Sequence, residues 1–486
     1  MLHTVHGWWL EEAGPVEPAP PLEGEVSADL VIVGGGYTGL WTAWHALAAA
    51  PDTRVVLLEA DVCGHGPSGR NGGFCESLWI SIAALRERLG DERARALAEA
   101  SSETVDAIGR WCEEQQVDAW YRKAPYIRAA ASDATEGVGA AAIEAAAAVG
   151  SPESVRPIDQ EEVRERCGSP LLRGGILIPD SATVQPARLA LGLRARVQGA
   201  PGARLFEHCP VRSVRGGSGS VEVETRSGRV KAGAAVIAAG PALRGLRQLR
   251  NRMTVASSHI VLTEPVPDLL EELGWTGGES ITDGRTLVHY FRTTRDGRIA
   301  FGWGGGRLMR RAGRDGNQRR VDGFGVYRPQ KRPHGSAGVE RDPTVVEQVR
   351  RDLLRLFPQV RGRRITHAWG GPIDVSPSHL PQVGRLPDGP VYYAFGYTGN
   401  GVGPSHLIGR VLASRALGRD DEAARLPLPG PDPARVPPEP LAWLGGALVR
   451  RAWVRRERLE DQGLPVDPLT RAACAVPGLL GIHLAR

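Results

Sequence analysis

Short apolar runs separated by glycine-rich turns characterise the first part of the chain. The run DLVIV at 29–33 is typical of a strand buried on both faces of a parallel sheet. A helix is predicted from about Gly39 to Ala50, and a second strand over Arg54–Glu59. This order predicts a strand–helix–strand unit near the amino terminus.

The middle of the chain has the alternation of apolar and polar residues that is typical of an antiparallel sheet. Strands are predicted over 120–130, 234–239, 253–264, 287–293 and 298–302, with further short strands around a GGSGS turn within 204–231. Helices are predicted over 82–116, 134–149, 345–357 and 405–417. Parallel units at the front and antiparallel strands behind them favour an α/β fold with a second sheet domain.

Two stretches lack a clear core pattern. Residues 307–341 are rich in arginine and glycine and are expected to form an excursion or mobile loop. Beyond about 420 the chain is proline-rich, then basic and helical around 444–459, which indicates an appendage rather than a third core. At roughly 100–200 residues per domain, the 486 residues correspond to about two or three domains.

Charge and composition disfavour several classes of protein. The chain has 60 Lys+Arg against 55 Asp+Glu, and only three of the 60 are lysine. Acidic residues accompany the arginines through most of the chain, so the clustered basic patch of a nucleic-acid binder is not predicted. The longest uncharged apolar stretch, 232–243, is shorter than the ~20 residues that span a bilayer.

The cysteines and the amino terminus indicate a reducing compartment. The six cysteines include no CxxC pair, so neither a zinc site nor a redox dithiol is predicted. The opening MLHTVHGWWLEE lacks the basic start and apolar run of a signal peptide. We therefore expect a cytoplasmic protein without a bound metal.

The first glycine-rich turn carries a dinucleotide fingerprint, Gly34-x-Gly36-x-x-Gly39, between the first strand and the helix. Gly34 permits the tight turn, Gly36 lets the backbone approach a pyrophosphate, and Gly39 allows close packing of helix on strand. Glu59 ends the next strand, 20 residues past Gly39, where a carboxylate can bind ribose hydroxyls. The fingerprint alone does not distinguish NAD from FAD.

A second glycine-rich stretch, CGHGPSGRNGGF at 63–74, follows Glu59 and can lie against a long cofactor, with Ser68 and Arg70 reaching its pyrophosphate. Residue by residue, this stretch resembles the D-amino-acid-oxidase-like flavoprotein superfamily. The pattern is nearest to that of the amine-oxidising branch, the gamma-glutamylputrescine oxidase-like enzymes.

Three further stretches carry the same resemblance. They are HCPVRSV at 208–214, VIAAGPAL at 236–243, and the closing segments WGGPIDVSPSHLPQVGRL and VYYAFGYTGNGVGPSHLIGR at 369–386 and 391–410. In the family, the valine at position 211 holds the adenine and the closing segments contact the flavin. A helix that begins after the turn 396–403 would stabilise the anion of a reduced flavin.

The resemblance implies FAD as the cofactor, expected to be bound non-covalently. A covalent link is considered only because Cys63 and His65 lie within the second glycine-rich stretch. The residues expected to contact FAD are Gly34, Gly36, Tyr37, Thr38, Gly39, Glu59, Ala60, Ser68, Gly69, Arg70, Asn71, Gly72, Gly73, Val211, Ala239, Gly240, Gly371, Gly396, Tyr397, Thr398, Gly399, Asn400, Gly401 and Val402.

The chain departs from its relatives at three positions. Glycine oxidase-like members bind the substrate α-carboxylate with arginines at the positions that Ile373 and Gly399 occupy here. Without a bidentate partner an α-carboxylate would bind poorly, which favours an amine or an acid with a more distant carboxylate. Sarcosine oxidase-like members have an oxygen-activating lysine at the position of Ala300, so a dehydrogenase with another electron acceptor stays open.

Candidate substrate-site residues come from the antiparallel strands and the closing segments. Asp374 could attract an ammonium group. The full set of candidates is His259, His289, Tyr290, Arg292, Trp303 and Asp374.

The domain organisation that we expect is discontinuous. An FAD-binding domain takes 28–82, 152–248 and 366–420, a substrate domain takes 83–151 and 249–365, and 421–486 is a proline-rich, basic helical extension. 

By resemblance the reaction is oxidation of a C–N bond, with O2 reoxidising the flavin. Its substrate would be a small amine, and the oligomeric state is open. The alternatives are an FAD-dependent dehydrogenase, a biosynthetic flavoenzyme of the same fold, a nicotinamide-only enzyme, a flavin-bearing binding protein and an arginine-rich nucleic-acid binder.

Overall fold

Two large sheets organise the chain, which the computed structural model describes over residues 2–3, 7–309 and 342–484. Most of the stretch expected to be a loop, residues 310–341, lies outside the described residues. The α-helices are Trp8–Ala13, Tyr37–Ala49, Ile82–Leu89, Asp91–Glu114, Ala140–Ala148, Gln160–Cys167, Pro186–Gln198, Pro267–Glu272, Pro343–Leu356, Val402–Ala416, Glu422–Arg425, Leu441–Asp461 and Pro468–Leu479. The mixed α/β architecture predicted from the sequence is confirmed.

The eight-stranded sheet contains the predicted strand–helix–strand unit. Its central strand, Gly24–Val33, buries Leu30 and Ile32 on one face and Val31 and Val33 on the other. Cover on both faces explains why this run is continuously apolar. Its strands are, in spatial order, Ala203–Phe206, Val55–Leu58, Gly24–Val33, Gly228–Ile237, Val221–Glu224 and Ser213–Gly216, with Val391–Phe395 pairing to Gly228–Ile237 and Gln382–Arg385 pairing to Val391–Phe395.

The nine-stranded sheet contains the predicted antiparallel strands. In spatial order it runs Leu2–His3, Ile365–Val375, Thr254–Thr263, Ile299–Trp303, His289–Thr293, Ser280–Asp283, Tyr126–Ala129, Gly175–Ile178 and Arg156–Ile158. Four of these strands lie outside the ranges expected for the substrate domain, apart from the first residue of one of them: Leu2–His3, Arg156–Ile158, Gly175–Ile178 and Ile365–Val375. The helix Pro343–Leu356 packs on one face through Val345, Val349 and Leu353.

Two long predicted elements are divided in the structure. The helical pattern at 82–116 forms two helices, because Gly90 adopts φ 81° between them and an α-helix cannot continue through that conformation. The strand predicted at 120–130 forms Arg122–Lys123 and Tyr126–Ala129. Arg122–Lys123 belongs to a separate three-stranded sheet with Phe74–Glu76 and Ser181–Thr183.

The carboxyl-terminal segment is joined to the rest of the protein, unlike the appendage that its composition indicates. We call Leu441–Asp461 the tail helix. Its Glu457 is buried and accepts a 2.8 Å hydrogen bond from the Leu287 amide, and its Asp461 pairs with Arg285. Among the described residues, no helix is long and apolar enough to cross a membrane.

Candidate active site

A cavity of about 1030 Å³ is lined by residues of both large sheets and of the tail helix. Of the 24 residues expected to contact a cofactor, 19 lie in its wall. They are Gly34, Gly36, Tyr37, Thr38, Glu59, Ala60, Ser68, Arg70, Asn71, Gly72, Val211, Ala239, Gly240, Gly371, Tyr397, Thr398, Gly399, Gly401 and Val402. The sequence motifs, which are far apart along the chain, therefore meet around one space.

The first glycine-rich turn has the close contacts that its fingerprint predicts. Gly34 adopts φ 110°, and a Cβ there would lie 2.5 Å from the Ala238 carbonyl oxygen. A Cβ at Gly39 would lie 1.9 Å from the Gly34 carbonyl oxygen. Gly39 is not part of the cavity wall, so its contribution is the packing of helix on strand.

The second glycine-rich stretch folds over the first. Ser68 Oγ accepts a 2.9 Å hydrogen bond from the Tyr37 amide at the start of the helix. Asn71 fixes the stretch, since its Nδ2 donates to the Ser68 carbonyl oxygen at 2.8 Å and its Oδ1 accepts from the Gly73 amide at 2.7 Å. Gly69 and Gly73 pack behind this surface and are not in the wall.

Glu59 is fixed in the wall at the end of its strand. One carboxylate oxygen accepts from the Gly35 amide at 2.6 Å, and the other from the Asp61 amide at 2.9 Å. Burial raises the pKa of this carboxyl, and the two amides act in the opposite direction. The carboxylate is thus oriented before any ligand arrives, and each oxygen keeps a second lone pair for a ribose hydroxyl.

The closing loop, residues 396–401, contributes Tyr397, Thr398, Gly399 and Gly401 to the same wall. Asp374 Oδ2 accepts a 2.5 Å hydrogen bond from the Gly396 amide, and the Thr398 amide donates to the Asp374 carbonyl oxygen at 3.1 Å. Gly396 lies outside the wall, as does Asn400, which is buried with both amide atoms unbonded to any described residue. The following helix begins at Val402, three residues before the predicted start.

The wall fits a flavin dinucleotide. A Cβ on Gly240 would meet no atom within 4 Å, and one on Gly371 would meet only Arg70 Cβ at 3.9 Å. These two positions leave room in the wall for a cofactor, and the amino terminus of the helix Tyr37–Ala49 in the same wall suits phosphates. Cys63 is fully buried outside the wall, whereas His65 lies in it.

Three candidate substrate residues lie on the wrong face of the nine-stranded sheet. Thr254, Ala256, Ser258 and Ile260 line the cavity, so the alternation of a strand turns His259 to the opposite face. His289 and Trp303 also lie there, with their rings stacked. The expectation that these three face the cavity is corrected.

His289 has a structural environment. Its Nδ1 lies 2.6 Å from Asp283 and its Nε2 lies 3.0 Å from Asp352. Although burial opposes protonation, the two carboxylates raise the pKa of His289 to about 9. A charged imidazolium therefore joins the sheet to the helix Pro343–Leu356.

Arg292 is also absent from the wall. It is buried, donates to the carbonyl oxygens of Gly73 and Val184, and lies over the ring of Trp9. Burial, together with the charge of Arg122, lowers its pKa to about 9. Its contacts support the second glycine-rich stretch from behind.

Tyr290 and Asp374 do lie in the wall. The Tyr290 hydroxyl is 2.7 Å from Ser258 Oγ, so two side chains of the sheet present one polar pair to the cavity. Burial raises the pKa of Asp374 to about 6. Because one of its oxygens is bonded to the Gly396 amide, Asp374 positions the closing loop as well as facing the cavity.

Sequence reasoning missed several wall residues. From the sheets these are Phe74, Glu76, Tyr126, Arg128, Thr282 and Arg285, and from the tail helix they are Leu441, Gly445, Gly446, Val449, Arg450 and Trp453. For one strand a signal was available, because Tyr126 and Arg128 are two residues apart and therefore lie on the same face of the strand. Gly445-Gly446 inside a helical pattern was the signal for close approach of the tail helix.

The structure also shows where the three positions lie at which this chain departs from its relatives. Ile373 and Gly399 both face the cavity without a guanidinium group. Ala300 is buried in a cluster with Trp9 and Trp369 and is not among the described wall residues. In the described part of the chain, no three His, Cys, Asp or Glu side chains form a metal-binding group.

The fold and this wall define a dinucleotide-binding oxidoreductase with a substrate sheet facing the cofactor region. The chain belongs to the family of FAD-dependent oxidoreductases, whose model matches residues 29–415. FAD is therefore its cofactor.

Individual relatives agree with this assignment. The chain is 30% identical to gamma-glutamylputrescine oxidoreductase of Escherichia coli (strain K12) over 448 residues, which cover 90% of this chain and 96% of that protein. Glycine oxidase from Geobacillus kaustophilus has a similar structure, with TM-score 0.63, 19% identity and coverage of 82% and 96%. The L-amino acid deaminase of Proteus myxofaciens gives TM-score 0.64, 17% identity and coverage of 84% and 94%.

Proposed function

We propose that this protein oxidises a C–N bond of an amine, with FAD bound non-covalently. The observation that carries the proposal is the wall around Ile373 and Gly399, where neither residue supplies the arginine that would bind an α-carboxylate. A primary or secondary amine needs no such partner next to the carbon that reacts.

The cofactor would be held by the two glycine-rich stretches, Glu59, Val211 and the closing loop. Thr38 at the helix start would offer its amide to the pyrophosphate, and Glu59 would offer its carboxylate to the ribose. When bound, FAD would accept a hydride at N5 from the carbon next to the amine nitrogen, and water would hydrolyse the resulting imine.

The chain's own part in the reaction is orientation and electrostatics. Asp374, with a pKa of about 6, is ionised near pH 7 and would attract an approaching ammonium group. Tyr290 and Ser258 form a fixed polar pair on the sheet face. An amine can give up a hydride only in its neutral form. If the substrate binds as the neutral amine, the site needs no strong general base.

The name of the Escherichia coli relative supports an amine of a particular kind. Gamma-glutamylputrescine is a diamine acylated at one end by the side-chain carboxyl of glutamate, so the amine at the putrescine end is many bonds from the carboxylate, whereas the glutamyl α-amine lies beside it. Transferred to this chain, that chemistry agrees with a wall lacking arginine at Ile373 and Gly399.

Reoxidation by O2 is the proposed second half of the reaction, and a dehydrogenase with another acceptor is the alternative. The residue at the lysine position, Ala300, favours the alternative because it offers no cation to activate oxygen.

The test is anaerobic mixing of the purified flavoprotein with acylated diamines, polyamines, N-methyl amino acids and D-amino acids, followed by absorbance near the flavin maximum. Bleaching by amines supports the proposal. Bleaching by α-amino acids alone contradicts it. Stoichiometric peroxide on admitting air supports the oxidase, and its absence with an artificial acceptor still active supports the dehydrogenase.

A further inference from the structure

The tail helix presents a continuous face to the cavity. Gly445, Gly446, Val449, Arg450 and Trp453 all lie in the wall, at spacings that bring residues to one side of a helix. A Cβ on Gly446 would lie 2.2 Å from Leu308 Cδ1, so the backbone of this helix packs closely against the sheet edge. This close packing fixes the distance of the next helical turn, which carries Val449 and Arg450, from the cavity.

Arg450 is fixed on this face by its inner nitrogen. Its Nε donates to the carbonyl oxygens of Gly305 and Gly306 at 2.8 and 2.5 Å, and its guanidinium lies 5.6 Å from the ring centroid of Trp303. Farther along the helix, Glu457 and Asp461 attach it to the sheet. The head group is therefore oriented before a ligand binds.

No described carboxylate forms a salt bridge with Arg450, although Asp342, which pairs with Arg307, acts on it through its charge. Neither of its outer nitrogens, Nη1 and Nη2, donates to a described residue, whereas the wall residue Arg285 pairs with Asp283 and Asp461. Burial and the neighbouring charges of Arg307 and Arg451 lower the pKa of Arg450, and the charge of Asp342 acts in the opposite direction. Arg450 is part of the cavity wall, and the two parallel outer donors of a guanidinium suit a carboxylate.

The register of the sheet sets how far this cation lies from the site of an α-carboxylate. Leu308 pairs with Ala256, and Ala256 pairs with Ile373 on the next strand. Two strand spacings of ~4.8 Å place Leu308 about 10 Å from Ile373. Arg450 contacts the chain just before Leu308, so its charge belongs to the far end of the cavity.

We propose that Arg450 is a specificity-determining residue that binds a substrate carboxylate remote from the carbon that is oxidised. The substrate class is then an amine whose carboxylate lies several bonds away, such as a longer ω-amino acid or an acylated diamine ending in an acid. This inference rests on the proposed function, since it assigns the other end of the same substrate.

The test compares matched substrates in the flavin-loaded enzyme. ω-Amino acids of four to eight carbons are measured against the alkylamines of the same length, and N-succinyl-1,4-diaminobutane against N-butanoyl-1,4-diaminobutane. Arg450→Gln should raise KM for the acids roughly 10- to 100-fold, with kcat and the KM of the uncharged partners changed less than about threefold. Arg450→Lys should restore part of the loss.

Arg458→Gln is the matched control, because Arg458 is exposed on the same helix and lies about two turns from Arg450. Flavin content and thermal unfolding show whether each variant is folded. If no amine reduces the wild-type flavin, the proposed function fails. If amines do reduce it but the carboxylate gives no advantage in the wild type, or Arg450→Gln affects acids and uncharged partners equally, the assignment of Arg450 is overturned and the amine oxidation stands.

Discussion

The phenolic oxygen of Tyr397 lies 2.7 Å from Oγ1 of Thr38, although the two residues are 359 positions apart in the chain. Thr38 is in the first turn of the helix after the fingerprint, and Tyr397 is in the closing loop. Both line the cavity. The hydrogen bond therefore ties together the amino-terminal and carboxyl-terminal halves of the cofactor wall.

A double-mutant cycle should measure this tie. We expect Thr38→Ala and Tyr397→Phe to be non-additive, with a coupling free energy of about 0.5–1.5 kcal/mol, because either change removes the same hydrogen bond. Denaturant unfolding of the apoprotein gives the coupling, and FAD titration shows its effect on binding. Tyr392→Phe, on the neighbouring strand, is the control. Strict additivity would count against the bond.

Glu59→Gln should weaken FAD binding roughly 10-fold. The amide keeps the size of the side chain, but its NH2 group must face either the Gly35 or the Asp61 amide, both of which donate to the carboxylate. Quenching of flavin fluorescence on titration into apoprotein gives Kd. Asp52→Asn, at an exposed turn, is the control, and an unchanged Kd for Glu59→Gln would remove the ribose assignment.

His289→Gln should lower stability without slowing flavin reduction in the folded, FAD-loaded fraction. The imidazolium lies between Asp283 and Asp352, and its pKa is raised to about 9 in the folded state. Its stabilisation is therefore complete below the unfolded pKa near 6.5 and is lost as the pH rises through 9.

The rise of about 2.5 pKa units corresponds to roughly 3 kcal/mol. Unfolding free energies measured from pH 6 to 10 should show the wild-type advantage shrinking with pH. A pH-independent difference between the two proteins would contradict the charged pair, and slow reduction by amines in the variant would return His289 to the list of catalytic candidates.

Glu457→Gln should remove a pH dependence of the unfolding free energy that comes from a buried acid rather than from a buried base. Burial raises the pKa of Glu457 to about 7, so the folded state holds a proton that the unfolded chain releases near pH 4.5. Wild-type stability relative to the variant should fall between pH 4.5 and 7 and level off above that. The glutamine oxygen can still accept from the Leu287 amide, so wall geometry is retained. Parallel stability curves would contradict this.

The cofactor wall is the part that the sequence predicts well, and the reason is local. Gly34, Gly36 and Gly39 act within one turn, and the contact that excludes a side chain at Gly39 is made by Gly34, five positions away. The chemistry of such a turn is contained in its spacing. Residues that only pack behind it, such as Gly69 and Gly73, share the same pattern and cannot be separated from wall residues without coordinates.

The sequence does not predict which side chains of the substrate strands face the cavity and which face the opposite side of the sheet. His259 and Ser258 are neighbours, yet only Ser258 faces the cavity, because successive side chains of a strand point to opposite faces of the sheet. The place of the tail helix in the cavity wall was not predicted for a related reason. Arg450 and Glu457 find their partners at Gly305, Gly306 and Leu287, which no local pattern connects to them.

The wall contributed by the tail helix has a consequence for how this enzyme can diversify. The family match ends at residue 415, before the tail helix begins. The tail helix, and with it the proposed carboxylate partner Arg450, thus lies outside the stretch that matches the family model. Replacing 441–461 by the equivalent helix of a relative should change which amines are accepted while the affinity for FAD is inherited unaltered.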